Sequence, residues 1–453
     1  MEPFRYHVFI CDQKKPEGAH CCPARGSAAT LEALRKEVAA RGLLDEVQIT
    51  TCGSLGLCDR GPNMVVYPEG VWYSGVRPED VPELVESHFV QGRVVERLAN
   101  PDWAELRTEI QSNRAKFIAA QRAKDAAGAL PDDLNATLRA YMESRALLTA
   151  LELDVFTAVG RGATAAEVAK KISTHPRATE MLLNALTAMG MLEKHQGLFR
   201  NTAATGRYFA EGSKDNARQG LIHIANIWHR WSNLTECVRA GTAVSHQEMA
   251  ERGDDWTEPF IAAMHRNAAE RAPLIVQAVG AEAVERLLDV GGGSAAYSIA
   301  FAQAHEKLHA TVLDLPTVLP IAQRHIKAAG LAGRVETRAG DLRRDALGSG
   351  FNLILVSAIC HMLGPEENQD LFRRCFAALA PQGRLVMQDF ILEADKTAPK
   401  QGALFALNML VGTPAGSTYS HEEYTAWMTG AGFHEVRHVR LPGPSSLMVG
   451  VRQ

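Results

Sequence analysis

The segment RLLDVGGGSAAYS, residues 286–298, restricts the fold more than any other part of the chain. An apolar run of strand length ends in three glycines and turns into a helix-forming stretch. An open α/β sheet uses this arrangement to bind a nucleotide at the carboxyl ends of its strands. Gly291, Gly293 and Ala296 also satisfy the loose G-x-G-x-x-G/A dinucleotide pattern, a weak signal alone. Asp289, just before the turn, argues against that reading. Its carboxylate would repel a pyrophosphate but attract an ammonium group, such as that of the methionine moiety of S-adenosylmethionine. Asp314 ends the strand HATVLDL and suits both ribose hydroxyls of the same ligand.

At 453 residues the chain implies about two to four domains, each able to bury a core. Its 46% hydrophobic and 22% charged residues are those of a globular protein. A net charge of -4 gives no electrostatic case for nucleic acid or an anionic membrane. The N-terminus MEPFRYHVFICD lacks a basic region followed by an apolar run, and no 18-residue apolar segment occurs, so a cytoplasmic location is expected.

Residues 1–100 read as an α/β unit: strand YHVFIC, helix SAATLEALRKEVAARG, strand EVQITT, hairpin NMVVYPEGVWYSGV and helix PEDVPELVESHFVQG. Residues 101–132 read as an exposed helical linker broken at Pro131. Residues 133–211 look winged-helical. Leu134, Leu138, Tyr141, Leu147 and Leu148 mark an apolar face, Thr164 and Glu167 form a capping box, and HQGLFRNT makes a small wing. Without a basic recognition face, a dimerisation role is expected there rather than DNA binding. Residues 212–453 combine helices with strands RLLDV, HATVLDL, RVETRAG, FNLILVSA, GRLVMQDF, HEVRHVRL and SSLMVGVR, an alternation that predicts a parallel sheet.

LDVGGGS, LDLP with Asp314 and Leu315, the GDL turn Gly340–Leu342 and SAICHMLGPEENQDLFRRC are specific together. On these motifs residues 133–453 resemble the class I O-methyltransferases related to plant caffeate and hydroxyneurosporene enzymes. The resemblance implies a Rossmann-like domain binding S-adenosylmethionine, with Asp341 and Leu342 at the adenine. It also implies that His361 is the base and Asp389 the acid that orients it. In the plant enzymes the corresponding His is followed by Asp and Trp, whereas Met362 and Leu363 follow here, so the surrounding pocket must differ. His361 follows FNLILVSA at the carboxyl edge of the sheet, and an imidazole titrates near working pH. The resemblance further places a lid before the sheet and after its fifth strand. Trp231, Trp256, Phe260, Met264, His265, Phe405, Asn408 and Met409 are therefore the candidates for an acceptor pocket, whose aromatic and Met lining favours a flat, apolar small molecule. Aromatic residues at helical spacing are also common core residues. Cys360 and Cys375 are read as buried apolar residues.

Five of the eight cysteines (Cys11, Cys21, Cys22, Cys52 and Cys58) fall in the first 60 residues, a crowding that favours metal or redox chemistry over disulfides. Cys22 precedes PARGS, Cys58 precedes DRGP, and VVYPEGVWY follows. In this order residues 7–100 resemble a thioredoxin-like [2Fe-2S] ferredoxin, and the favoured ligands are Cys11, Cys22, Cys52 and Cys58. Ser54 stands where that family has its third cysteine. Either the loop CGSLGLC lets Cys52 reach the iron, or serine supplies an oxygen, or only the fold remains. Cys21 should point away if Cys22 ligates.

The combined expectation is a homodimeric S-adenosylmethionine-dependent O-methyltransferase of a small aromatic or polyketide-like hydroxyl compound. Its fused ferredoxin module could pass electrons to a redox partner, sense redox state or aid assembly. Two rival readings are an oxidoreductase using a dinucleotide and the cluster, and a non-catalytic binding protein.

Overall fold

Period-two alternation in YHVFIC and NMVVY sends Val8, Ile10, Met64 and Val66 to one face, and these residues nucleate the first core. The structure, a computed structural model, describes residues 3–15, 19–245, 254–281 and 284–453. It divides into two units, Met1–Ala140 and Tyr141–Gln453.

In the first unit, β1 (Tyr6–Cys11), β2 (Val47–Cys52), β3 (Asn63–Tyr67) and β4 (Val71–Ser74) form a sheet in the order β2-β1-β3-β4. Only β1 and β2 run parallel, joined through the helix Ser27–Ala40. The segment expected as an exposed helical linker is helical and mostly exposed, and its first turns are anchored to this unit. Asp102 caps the helix Trp103–Ala126 by accepting from the Ala104 and Glu105 amides at 2.9 Å. From that helix Leu106 is buried, Asn113 Nδ2 donates to Gly56 O at 2.9 Å, and Glu109 pairs with Arg60.

The second unit opens with the helices Tyr141–Glu152, Val155–Val159, Ala165–Lys171 and Pro176–Ala188. They precede a hairpin of β5 (Leu192–His195) and β6 (Leu198–Asn201). Thr164 and Glu167 cap each other reciprocally at 2.8 and 3.3 Å. Leu148, Phe156, Leu183 and Phe199 fill a local core, while Leu134, Leu138 and Tyr141 of the expected apolar face are 46%, 58% and 54% exposed.

The large sheet contains β7 (Arg286–Val290), β8 (His309–Asp314), β9 (Val335–Ala339), β10 (Phe351–Ser357) and β11 (Leu379–Asp389). The two-residue strands β12 (Ile391–Leu392) and β13 (Tyr419–Ser420) pair beside it, and β14 (His434–Val439) and β15 (Ser446–Val451) complete it. The order is β14-β15-β11-β10-β7-β8-β9. The sheet is not wholly parallel as expected: β15 runs antiparallel to β11 and β14. The connection 440–445 is too short for the crossover that a parallel neighbour requires. Chain order reverses between β7 and β10, so a crevice opens at their carboxyl ends.

Candidate active site

Asp289 occupies the fourth position of β7 and is completely buried beneath the glycine turn. Its Oδ2 accepts from Ser298 Oγ at 2.8 Å, and its Oδ1 has no partner among the described residues. Burial, with Asp314 nearby, pushes this carboxyl up to about 6. When ionised it makes the turn negative, which suits a cationic ligand. Gly291 has φ +69°, and a Cβ there would lie 2.4 Å from Ile359 Cδ1, so the turn accepts only glycine at this point. A Cβ on Gly293 would meet nothing within 4 Å, so space remains over the turn.

The neighbouring strand ends are tied to this turn. Asp314 Oδ2 accepts from the Gly293 amide and its Oδ1 from the Leu315 amide, both at 2.7 Å, leaving each oxygen a further lone pair. Burial raises the Asp314 pKa. Asp341 is more engaged than the resemblance implies, since its oxygens accept from Arg343 N at 2.9 Å and Arg344 Nε at 2.8 Å. Burial would raise this carboxyl, but those donors outweigh it and hold it below its usual range. Leu342 packs at the edge of the sheet core beside Gly291 and lines a cavity of about 270 Å³ with Leu363 and Arg374.

Strand β10 ends at Ser357, and Ala358 follows with φ +55°, turning the chain into a tight helical turn, Cys360–Met362, that carries His361. His361 Nδ1 lies 2.7 Å from Asp389 Oδ1 at the end of β11. Asp389 also accepts from the His361 amide at 3.1 Å and the Phe390 amide at 2.8 Å. With an ionised carboxylate, which can only accept, opposite a neutral imidazole, Nδ1 is the donor and Nε2 keeps a lone pair. The bond to Asp389 runs through Nδ1 and leaves Nε2 on the other side of the ring. Gly416 was not anticipated. A Cβ there would lie 2.4 Å from His361 O, so only glycine lets this loop pack under the base.

The lid residues divide between two places. Phe405 meets the His361 ring edge-on at 4.9 Å and stacks on Phe390 at 4.1 Å. On the same helix, Lys400–Gly412, Asn408 accepts from Trp231 Nε1 at 2.9 Å, and Met409 is buried. Through Phe405 this helix reaches the base. Phe260 packs instead with Ile261 against Val318, Ile321 and Leu315, in the segment after Asp314, and His265 Nδ1 lies 2.8 Å from Ser294 Oγ beside the glycine turn. Met264 is half-buried beside His265. The Trp256 side chain lies outside the described residues. Ser298 and Ser294 were missed, although both lie within the glycine segment that singled out the site.

In the first unit Cys11 and Cys52 are register partners at the ends of β1 and β2. Cys22 adjoins Cys11, and a hydrogen bond between the two thiols lowers the pKa of Cys11 and raises that of Cys22. Burial raises Cys52. Cys58 Sγ lies 3.4 Å from Ser54 Oγ. Cys21 is also buried, and all eight cysteines are free. Among the described residues no group of three or more His, Cys, Asp or Glu side chains is arranged to hold a metal ion.

The O-methyltransferase domain family matches residues 231–434, and the O-methyltransferase dimerisation domain family matches residues 136–211. A 3-hydroxy-5-methyl-1-naphthoate 3-O-methyltransferase of Streptomyces sahachiroi is 34% identical over 68% of this chain and 92% of its own length. The chain belongs to the O-methyltransferase family. The tetracenomycin polyketide synthesis 8-O-methyl transferase TcmO of Streptomyces glaucescens is 28% identical, covering 71% of this chain and 96% of the relative. The solved structure of PigF with SAH, a Serratia methyltransferase, is 27% identical, with TM-score 0.65 over 71% of this chain and all of that one. This O-methyltransferase is S-adenosylmethionine-dependent, and the orphaned Asp289 oxygen, the open space over Gly293 and the spare lone pairs of Asp314 fit that cofactor. No described helix is long and apolar enough to cross a membrane.

Proposed function

We propose that this O-methyltransferase methylates a hydroxyl group of a flat, aromatic or polyketide-like small molecule, with His361 as general base and Asp389 as the residue that orients it. The observation that carries this reading is the 2.7 Å bond from His361 Nδ1 to Asp389, which leaves Nε2 as the basic atom. When bound, S-adenosylmethionine supplies a methyl group already activated on a sulfonium. The protein's own task is then alignment and proton removal. His361 Nε2 takes the acceptor's hydroxyl proton, and Asp389 stabilises the resulting imidazolium. Asp289, Gly291, Gly293, Asp314 and Leu315 hold the methionine and ribose ends, with Asp341 and Leu342 at the adenine. Trp231, Phe405, Asn408 and Met409 form the acceptor wall. The naphthoate and polyketide acceptors named for the relatives support the acceptor class. The test is a panel of hydroxynaphthoates and polyketide phenols, followed by mass spectrometry. Methylation on oxygen that disappears in His361→Ala supports the reading, and undiminished turnover in that variant removes the base.

The exposed Leu134, Leu138 and Tyr141 and the matched dimerisation domain support a homodimer. For the first unit we propose a thioredoxin-like ferredoxin module serving a redox partner, supported by its strand order and its grouped thiols. Cys11, Cys22, Cys52 and Cys58 fit a [2Fe-2S] group in number of donors, but Cys58 is turned to Ser54 and the four do not stand assembled. No step of methyl transfer is derived through it. Iron and acid-labile sulfide in anaerobically purified protein test the module: two irons per chain support it, and no iron after reconstitution leaves only the fold. The free thiols suit a reducing, cytoplasmic compartment.

A further inference from the structure

We propose that His265 is a positioning residue for the cofactor, bracing the glycine turn through Ser294, and not a contact of the methyl acceptor. The inference rests on assigning the glycine turn to the cofactor. His265 belongs to the long helix Asp254–Val279, which precedes β7 in the chain. Its Nδ1 lies 2.8 Å from Ser294 Oγ, and Ser294, the residue immediately after Gly293, is itself only 4% exposed. The imidazole also stacks on His325, with ring centroids 3.9 Å apart and planes 19° from parallel. His325 lies on the helix Leu319–Ala328, which follows Asp314.

One side chain thus touches both segments from which the cofactor's ends are held. Five residues before His265, Phe260 packs with Ile261 against Leu315, Val318 and Ile321, so the same helix grips the second segment by apolar contact as well. The turn needs such a brace. Gly291 and Gly293 both have positive φ, and three adjacent glycines lose much conformational freedom when the turn is ordered. Inside the turn, the Gly293 amide to Asp314 is a direct tie, and the Ser294–His265 bond adds a second tie from outside. Burial favours the neutral form of both imidazoles, which lets them stack without mutual repulsion. A turn ordered before binding costs less to order on binding, so the benefit belongs to cofactor affinity rather than to the chemical step.

The test is calorimetric titration with S-adenosylhomocysteine, together with the KM of S-adenosylmethionine and kcat. His265→Ala and Ser294→Ala should each weaken binding about tenfold and raise the cofactor KM by a similar factor, with kcat at saturating cofactor within about twofold. His265→Asn places an amide near the Nδ1 position and should recover most of the loss. The double variant should be no weaker than His265→Ala alone, because that substitution already removes the bond to Ser294. Unchanged affinity in His265→Ala, additive losses in the double variant, or a rise confined to the acceptor KM would each overturn the proposal. Asp289→Asn separates this failure from that of the underlying assignment. If it too leaves affinity unchanged, the glycine turn is not the cofactor site. Should His265→Ala fail to fold, Ser294→Ala and His265→Asn carry the same comparison.

Discussion

Two aspartates at the ends of strands flanking β10, Asp389 on β11 and Asp289 on β7, are both fully buried and solve burial in opposite ways. Asp389 accepts three hydrogen bonds, two from backbone amides and one from His361. Asp289 accepts one from a side chain and keeps an oxygen with no partner among the described residues. A buried carboxylate with its bonds satisfied is a rigid part of the protein, whereas one lacking a bond costs stability until a ligand completes it. On the roles proposed above, the catalytic half of the site is finished in the folded chain, and the cofactor half would be finished by the cofactor.

The largest expected effect tests the finished half. His361→Ala should lower kcat by about 10³-fold while the calorimetric affinity for S-adenosylhomocysteine stays within twofold. An equal loss of affinity would show that the two halves are not separable. Asp389→Asn should follow, with kcat lower by about 10²-fold and stability lower by about 2 kcal/mol in denaturant unfolding, because an amide cannot accept the same three bonds.

Asp289→Asn should behave oppositely. It should weaken S-adenosylhomocysteine binding by about 30-fold yet leave the apo protein no less stable above pH 6, since it removes a buried charge. The sign follows from the raised pKa. Between the ordinary value of 3.8 and about 6 the folded protein holds a proton that the unfolded chain has released. This group's contribution is thus fully present below pH 3.8 and lost as pH rises through 6. Thermal unfolding of the apo protein and of Asp289→Asn across pH 4.5–8 should show the wild type losing stability relative to the variant over that window. Parallel curves would mean that Asp289 is already partnered. The smallest effect lies in the lid. Trp231→Phe removes the donor to Asn408 and should cost about 1 kcal/mol, with a few-fold rise in acceptor KM and none in cofactor affinity.

Strand positions in both sheets were legible because each strand carries its own local signal, either alternation or a continuous apolar run between turn residues. Asp289, Asp314, His361 and Asp389 were legible for a related reason: each lies at or just after the end of such a strand. The antiparallel β15 was not, since helix–strand alternation suggests parallel neighbours and only the short connection 440–445 decides otherwise. Nor was the packing of Trp103–Ala126 on the first unit, because its polar, Ala-rich composition hides the few residues, Leu106 and Asn113 among them, that make contact.

His265 shows where local reading stops. An aromatic-rich helix before the sheet announces a lid, but which residues face acceptor and which face cofactor depends on how that helix crosses the sheet. Phe405 came to the base and Trp231 to Asn408 on the Phe405 helix, whereas Phe260 packs on the segment after Asp314 and His265 on Ser294 of the glycine turn. The cysteines divide the same way: their number was plain, but pairing Cys11 with Cys22 and Cys58 with Ser54 needed the folded loops. The sequence by itself determined the sheet's strands, the glycine turn and the acids at its rim, because backbone propensity and burial pattern act over a few residues. Tertiary structure alone decided which acid is satisfied and which is left waiting, because hydrogen-bond completion depends on partners supplied from distant parts of the chain.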